Sequence, residues 1–458
     1  MAEQTQQSAV ALGDYAADVA ALLEHAEAEK LLQRIWSGDH TVWNQDPTEI
    51  ANRLGWLHVI PEMRSALQDL QAFSAEVRQT GYRQVVLLGM GGSSLGPEVM
   101  RQILGGPESH PELLVLDSTV PNWISWVDAQ IKPSSTLFLV SSKSGGTIEP
   151  NSLYKYYRQA LDKAVGPSAA GGHFAAVTDS GTSLEKLAED HGFRRAFLNR
   201  EDIGGRYSVL SHFGLVPAVL AGMDVDRLLE SAEAMAASCG AKSSAPKNPG
   251  AWLGAFMAAT AQRGRDKLTL ITSPPLAAFG LWAEQLIAES TGKGGKGIVP
   301  VAGEPLMDAD AYGDDRAFVY LRLENADNAS SDVAMERLAA AGHPVVRLDL
   351  REKHDIGAEF FRWEFATAVA GAFLGINPFD QPNVQAAKDV TGKVLKDYTR
   401  RQALPELPAH AAAVADLLKQ AKQGDYLALM VYAQPTDGVE ALLSELRRQV
   451  MGRHRIAT

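Results

Sequence analysis

Residues 84–97 read QVVLLGMGGSSLGP, and this stretch carries the clearest signal of the fold class. The apolar run Gln84–Leu88 is followed directly by glycines and serines, and then by a pattern typical of a helix start. A short apolar strand, a glycine-rich turn and a helix begin a βαβ unit, whose parallel sheet is buried on both faces. The stretch therefore predicts an α/β fold.

The same alternation recurs along the chain. Short apolar runs predict strands at 84–88, 113–116, 136–140, 173–177, 195–198, 267–272, 298–301, 317–323 and 345–350. A helical block at 207–261 divides them into two series. We therefore predict two α/β domains with parallel sheets, at 81–240 and 250–380, joined by a Ser/Pro/Gly/Lys-rich linker at 240–249.

Helical additions are predicted at both ends of the chain. Residues 1–80 are rich in alanine and leucine and have apolar residues at helical spacing. Residues 381–458 are predicted to be helical, with one apolar strand at 426–432 and a final helix at 438–450.

Composition narrows the class of function. The net charge of -12 argues against nonspecific binding to nucleic acid or to an anionic membrane. Cys239 is the single cysteine, which excludes an internal disulfide and fits a reducing compartment. The polar first residues lack a secretory signal, and no stretch reaches the roughly 20 apolar residues of a membrane span. We therefore expect a cytoplasmic protein.

Two loops that follow strands carry groups suited to an anion. The glycines of Gly89–Pro97 let backbone N–H groups approach a ligand, although a plain tight turn has the same composition. Ser141–Thr147 brings three serines, a lysine and a threonine to the start of a helix, where they can converge on a phosphate; a solvated turn is the alternative. Open α/β sheets bind ligands at this edge. Neither loop is a Walker A sequence, and Asp117 is the only acidic candidate for a ribose contact, so no nucleotide is expected.

Three further segments carry chemically useful side chains. Glu289 lies in the last turn of a helix predicted to end at Gly292. The negative end of the helix dipole disfavours a carboxylate there, and the same effect favours the uptake of a proton by a general base. Gln285 lies one turn earlier on the same face. Arg206 follows paired glycines and could hold developing negative charge. Lys388 lies in a helix after a turn at 377–382. Taken singly, each of these could equally be a solvated surface residue.

Together these segments resemble the phosphoglucose isomerase family. Five motifs occur in the family's order: GMGGSSLGP (89–97), SSKSGGTIEP (141–150), GGRYSVLSHFGL (204–215), AESTGK (288–293) and NPFDQPNVQAAK (377–388). The tract at 34–57 also resembles the isomerase portion of transaldolase–isomerase fusions.

The resemblance implies two sugar-isomerase domains of flavodoxin-like type, a homodimer with shared sites, and no cofactor or metal. It implies that the substrate phosphate is bound by Ser142, Lys143, Ser144, Thr147, Ser93, Gly92 and Gln381. Glu289 would be the base, assisted by Gln285, Arg206 would stabilise an enediolate, and Lys388 would assist ring opening.

One family feature is different here. The family's ring-opening histidine follows a Gly-Glu-Pro segment, which is present at 303–305, but the later stretch places Arg316 where the histidine is expected. Arginine does not shuttle protons near neutral pH. Ring opening could therefore fall to Lys388, to Asp314 or Asp315, or to a relocated histidine such as His343 or His354.

The sequence thus predicts an isomerase that interconverts glucose-6-phosphate and fructose-6-phosphate. A variant that also takes mannose-6-phosphate is open, because pocket lining decides the epimer. The alternative from another class is a noncatalytic sugar-phosphate-binding regulator on the same domains, which would not need Glu289, Gln285 or Arg206.

Overall fold

The structure, a computed structural model, describes residues 7–403 and 414–458 of the chain. In chain order, its first half contains β1 (Gln7–Ala11), α1 (Ala16–Ala28), α2 (Leu31–Trp36), α3 (Val59–Thr80), β2 (Gln84–Leu88), α4 (Leu95–Leu104), β3 (Glu112–Leu116), α5 (Pro121–Gln130), β4 (Thr136–Ser141), α6 (Ile148–Val165), α7 (Pro167–Ala170), β5 (Phe174–Asp179), α8 (Ser183–Asp190) and β6 (Arg195–Asn199). The second half contains α9 (His212–Leu220), α10 (Val225–Ser238), α11 (Pro249–Gln262), β7 (Lys267–Thr272), α12 (Phe279–Thr291), β8 (Val299–Ala302), β9 (Arg316–Leu323), α13 (Ala329–Ala340), β10 (Val345–Leu350), α14 (Ile356–Leu374), α15 (Pro382–Arg401), α16 (Val414–Leu418) and α17 (Asp437–His454).

The strands of the described residues form two five-stranded sheets. The first has the order β3-β2-β4-β5-β6 and is parallel throughout. The second has the order β1-β10-β9-β7-β8 and is parallel except for β1. The predicted α/β class with parallel sheets is confirmed.

The first sheet positions the two glycine- and serine-rich loops. Every residue of β4 is buried, as a strand covered by helices on both faces should be. β2 and β4 are neighbours in the sheet, with Leu88 paired to Val140, so both chains leave the sheet at the same edge. The loops that follow these strands therefore lie side by side.

The segment predicted as a linker, residues 240–249, is packed into the body of the protein. Ala245 and Asn248 are fully buried, and the Ala245 amide donates to Glu27 Oε2 at 2.7 Å. One hydrophobic cluster of the described residues includes side chains next to both sheets, such as Leu139 of β4 and Val319 of β9. The segment is therefore partly buried against its neighbours.

The predicted secondary structure is wrong at two places. Residues 7–11 form β1, which pairs antiparallel with β10 at the edge of the second sheet; QSAVA is a weak strand by composition, and pairing with an available edge decides its conformation. The strand predicted at 426–432 does not form, since within the described residues only an isolated bridge joins Tyr426 to Ala457. Met430 and Tyr432 are 80% and 86% exposed, so the segment lacks the neighbouring strand that an apolar run needs.

The described part of the C-terminal additions contains the helices α15, α16 and α17, with non-helical chain between α16 and α17. Residues 404–413 of that segment lie outside the described residues. Among the residues that the structure covers, no helix is both long and apolar enough to cross a membrane.

Candidate functional site

The loop after β4 presents hydroxyl groups at the start of α6. Ser142 Oγ and Thr147 Oγ1 are 2.9 Å apart, and Ser142 is only 2% exposed. Ser144 is exposed on the same loop, and Gly145 has a φ of +67°, a value that a glycine adopts without strain. Hydroxyl donors and the N-terminal end of an 18-residue helix thus meet at one point. This arrangement suits a phosphate.

Lys143 does not point its charge into this loop. Its ammonium forms an ion pair with Asp179 at the end of β5 and donates to the Glu201 carbonyl at 3.0 Å. Burial raises the pKa of the Asp179 carboxyl, and Lys143 opposes that rise. The structure therefore places Lys143 beside the loop, where it ties the loop to β5. The sequence did not reveal this pairing, because Asp179 lies 36 residues further along the chain.

Replacing the loop hydroxyls tests its role. Ser144→Ala combined with Thr147→Val should raise KM for a sugar phosphate by about 10-fold or more, because charge-assisted bonds to the phosphate are lost. The Thr147 side chain does not cap α6, so the helix should persist. Steady-state kinetics measures the change.

The control for this pair is Ser65→Ala with Thr80→Val. Both hydroxyls are on α3 and bond only to carbonyls of their own helix, so KM should not change. An unchanged KM in the loop variant would show that the phosphate binds elsewhere.

The loop after β2 packs closely against the motif at 204–215, which contains Arg206. A Cβ on Gly92 would overlap the Gly205 carbonyl, and a Cβ on Gly91 would lie 2.8 Å from Gln285 Nε2. Ser93, on the same loop, is 8% exposed. The glycines thus let this loop contact both the arginine motif and α12, which brings three of the sequence motifs together.

Arg206 is held in place by hydrogen bonds from two of its three guanidinium nitrogens. The residue is 1% exposed. Its Nε donates to Ser290 Oγ at 2.8 Å, and its Nη2 donates to the carbonyls of Pro378 at 2.6 Å and Asp380 at 3.0 Å. Nη1 is buried and has no hydrogen bond to the described residues, although Glu289 Oε1 lies 3.1 Å away as an ion-pair partner. The two N–H groups of Nη1 are therefore not used by the hydrogen bonds that hold Arg206 in place, and they face the side of the guanidinium where Glu289 lies.

Glu289 and Gln285 share the face of α12 that meets Arg206. Phe279, Trp282, Ala283, Leu286 and Ile287 bury the rest of this helix in the core. Gln285 Nε2 donates to Glu289 Oε2 at 3.2 Å, while Gln285 Oε1 is buried and makes no hydrogen bond to the described residues. The Glu289 side chain is 25% exposed. The Glu289 carboxylate thus lies between the guanidinium of Arg206, its ion-pair partner, and the side-chain amide of Gln285.

The C-terminal motif reaches the site through its first residues. The carbonyls of Pro378 and Asp380 hold Arg206, and Gln381 follows them directly at the start of α15. Lys388 lies further along α15 and is exposed. No hydrogen bond or ion pair among the described residues joins Lys388 to Glu289 or Arg206.

Arg316 belongs to the core and not to this site. It is fully buried at the start of β9, where it pairs with both carboxylate oxygens of Glu304 at 2.8–2.9 Å and donates to Thr269 Oγ1. Asp315 lies 3.5 Å from Lys267 at the same edge of the second sheet. His343 contacts Arg265, and burial lowers its pKa. No described contact joins any of these groups to Glu289.

Two residues of the arrangement were missed by the sequence interpretation. Ser290 receives the Arg206 Nε bond, and Lys293 donates to the carbonyls of Asn377 and Asp380. Both lie in AESTGK, beside Glu289, and this adjacency was the available signal.

Comparisons with known proteins agree with the motifs. Residues 23–297 match the family described as phosphoglucose isomerase. A glucose-6-phosphate isomerase of Citrifermentans bemidjiense is 32% identical over 73% of this chain and 71% of its own length. One of Rubrobacter xylanophilus is 30% identical over 72% of this chain and 87% of its own length.

Solved structures share the fold. A hypothetical protein from Thermus thermophilus superposes with a TM-score of 0.72 at 23% identity, covering 85% of this chain and 100% of that one. A glucose-6-phosphate isomerase from Chlamydia trachomatis has a TM-score of 0.66 at 19% identity, with coverages of 88% and 89%. The family match over more than half of the sequence and the relative at 32% identity confirm the family predicted from the motifs: the chain belongs to the phosphoglucose isomerase family.

Proposed function

We propose that this protein interconverts glucose-6-phosphate and fructose-6-phosphate through a cis-enediolate, with Glu289 as the base. One observation carries the proposal. The Glu289 carboxylate lies between Arg206 Nη1, at 3.1 Å, and Gln285 Nε2, at 3.2 Å. Arg206 Nη1 and Gln285 Oε1 are both buried and have no hydrogen bond to the described residues. The relatives are named glucose-6-phosphate isomerases, and isomerisation of a sugar phosphate is a reaction that such a site suits.

The phosphate of the substrate is bound at the edge of the first sheet. Ser142, Ser144 and Thr147 supply hydroxyls, and the loop amides and the N-terminal end of α6 supply partial positive charge. Gly92 and Ser93 also contact the phosphate. Lys143 adds positive charge beside it while remaining paired with Asp179. This anchoring matters because the protein's net charge of -12 repels an anion at longer range.

The proton transfer needs one carboxylate. Glu289 takes the proton from C2 of the open-chain aldose, the C2–H electrons form the C1–C2 double bond, and the C1 carbonyl oxygen takes the negative charge. The O2 hydroxyl proton moves to O1, and Glu289 returns its proton to C1 to give the ketose. Gln285 Nε2, at 3.2 Å, orients the carboxylate during this exchange. No atom is gained or lost.

Arg206 stabilises the charge that develops on the enediolate. Its other donors are already used by Ser290, Pro378 and Asp380, so Nη1 is fixed before the substrate arrives. Donors that need no reorganisation during the reaction lower its barrier most effectively.

Similarity of motifs alone supports the remaining roles. By that similarity, Gln381 contacts the phosphate side and Lys388 assists ring opening. It also supports a homodimer with shared sites. The single cysteine, which fits a reducing compartment, supports a cytoplasmic location. The alternation of strands and helices supports two sugar-isomerase domains (81–240 and 250–380) between an N-terminal segment (1–80) and a C-terminal segment (381–458).

A coupled assay of purified protein with fructose-6-phosphate tests the proposal. We expect glucose-6-phosphate to form at a rate far above background. Mannose-6-phosphate, offered separately, distinguishes a broader isomerase. Binding of fructose-6-phosphate without any turnover would overturn the proposal in favour of a noncatalytic sugar-phosphate-binding regulator.

A further inference from the structure

Lys293 uses every donor that it has. Its ammonium donates to the Asn377 carbonyl at 2.7 Å and to the Asp380 carbonyl at 2.8 Å, and it forms an ion pair with the Asp380 carboxylate. An ammonium has three N–H groups, and these three acceptors occupy them all. Lys293 is therefore bound in place, two residues beyond the end of α12 and four beyond Glu289.

The same carbonyl binds both Lys293 and Arg206. Asp380 O accepts from Lys293 Nζ at 2.8 Å and from Arg206 Nη2 at 3.0 Å. Arg206 Nη2 has one other acceptor, the Pro378 carbonyl, in the same turn. The direction of Nη1 therefore depends on where the turn at 377–380 lies, and Lys293 ties that turn to the helix that carries Glu289.

Lys293 also neutralises the carboxylate of Asp380, whose carbonyl helps to hold Arg206. The Asp380 side chain is 31% exposed, while that of Lys293 is 12% exposed, so their pairing is partly shielded from water. Burial lowers the pKa of Lys293, and its bond to Asp380 opposes that effect. Without the ammonium, an unpaired carboxylate would lie in the turn that Arg206 already contacts, and it would draw the guanidinium away from the substrate.

We propose that Lys293 is a positioning residue, which holds Asp380 so that Arg206 Nη1 faces the enediolate. The inference rests on the proposed isomerase function. Lys293 does not act as a proton donor to the substrate, because releasing a proton would break one of its three bonds. It acts through Arg206, so its loss should affect the enediolate more than the phosphate.

Two inhibitors separate these effects. A five-carbon phosphorylated hydroxamate mimics the enediolate, whereas glucitol-6-phosphate presents the phosphate without a carbonyl. Lys293→Met should weaken binding of the hydroxamate by about 10-fold or more, because the substitution misplaces a preorganised donor. The affinity for glucitol-6-phosphate should change by no more than about 3-fold, because the substitution leaves the loop at 142–147 as it is.

The variant Lys293→Met with Asp380→Asn adds a test of charge. Removing the unpaired carboxylate should restore part of the lost hydroxamate affinity. The matched control is Lys296→Met, a lysine of the same loop whose ammonium donates to the Leu374 carbonyl, and it should leave both inhibitors unchanged. If Lys293→Met does not fold, Lys293→Arg and the double variant are compared in the same way.

If Lys293→Met loses affinity equally for both inhibitors, or loses none for the hydroxamate, the inference is overturned. So would a double variant that is no better than Lys293→Met. These outcomes leave the proposed function in place as long as the wild-type protein turns over fructose-6-phosphate. If the wild type is inactive, it is the function that fails.

Discussion

Glu289→Gln should lower kcat for fructose-6-phosphate by about 10²–10⁴-fold, because an amide cannot accept the proton that a general base removes. The substitution keeps the size of the side chain and its place beside Gln285 and Arg206. KM should change little, because the phosphate loop provides most of the ground-state binding. Steady-state kinetics on the variant, together with its melting temperature, measures the effect.

Glu284→Gln is the matched control. Glu284 lies on the same helix but is exposed outside the site, so the same chemical change should leave kcat within about 2-fold of wild type. If Glu289→Gln turns over at the wild-type rate, Glu289 is not the base and the mechanism fails.

Arg206→Lys should lower kcat/KM by about 10²–10³-fold, the loss that follows removal of one preorganised donor to an oxyanion. The three anchoring acceptors, on Ser290, Pro378 and Asp380, would by themselves occupy all the donors of a lysine ammonium. No donor would then remain for the enediolate, even though the positive charge is kept.

Arg316→Lys separates this loss from simple disruption of the core. Arg316 is as deeply buried as Arg206, but its partners are Glu304 and Thr269. We expect its melting temperature to fall while kcat, measured well below that temperature, stays within about 3-fold of wild type. A comparable loss of kcat in both variants would mean that Arg206 acts only through stability.

The fold could be predicted from local patterns. The alternation of apolar runs and amphipathic stretches identified both sheets, because a buried parallel strand has a distinct sequence signature. Gly91 and Gly92 were predicted to let the loop approach a ligand; in the structure they let it approach Gly205 and Gln285. Patterns of this kind depend only on neighbours in the chain.

Long-range partners could not be predicted in the same way. Lys143 pairs with Asp179 rather than facing the loop, and Arg206 bonds to carbonyls 172 and 174 residues away. Backbone acceptors leave no trace in the residue types. The apolar run at 426–432 was misassigned for a related reason, since a strand needs an edge to pair with, and local composition does not reveal whether one is free.

Isomerisation of fructose-6-phosphate in D₂O tests whether a group on the protein carries the proton between C1 and C2. A carboxylate that takes up a proton and returns it exchanges with solvent, so over many turnovers the glucose-6-phosphate should acquire deuterium at C2. NMR or mass spectrometry of the product detects the label. Complete conversion without deuterium at C2 would contradict the account, because hydrogen would then pass directly between the two carbons.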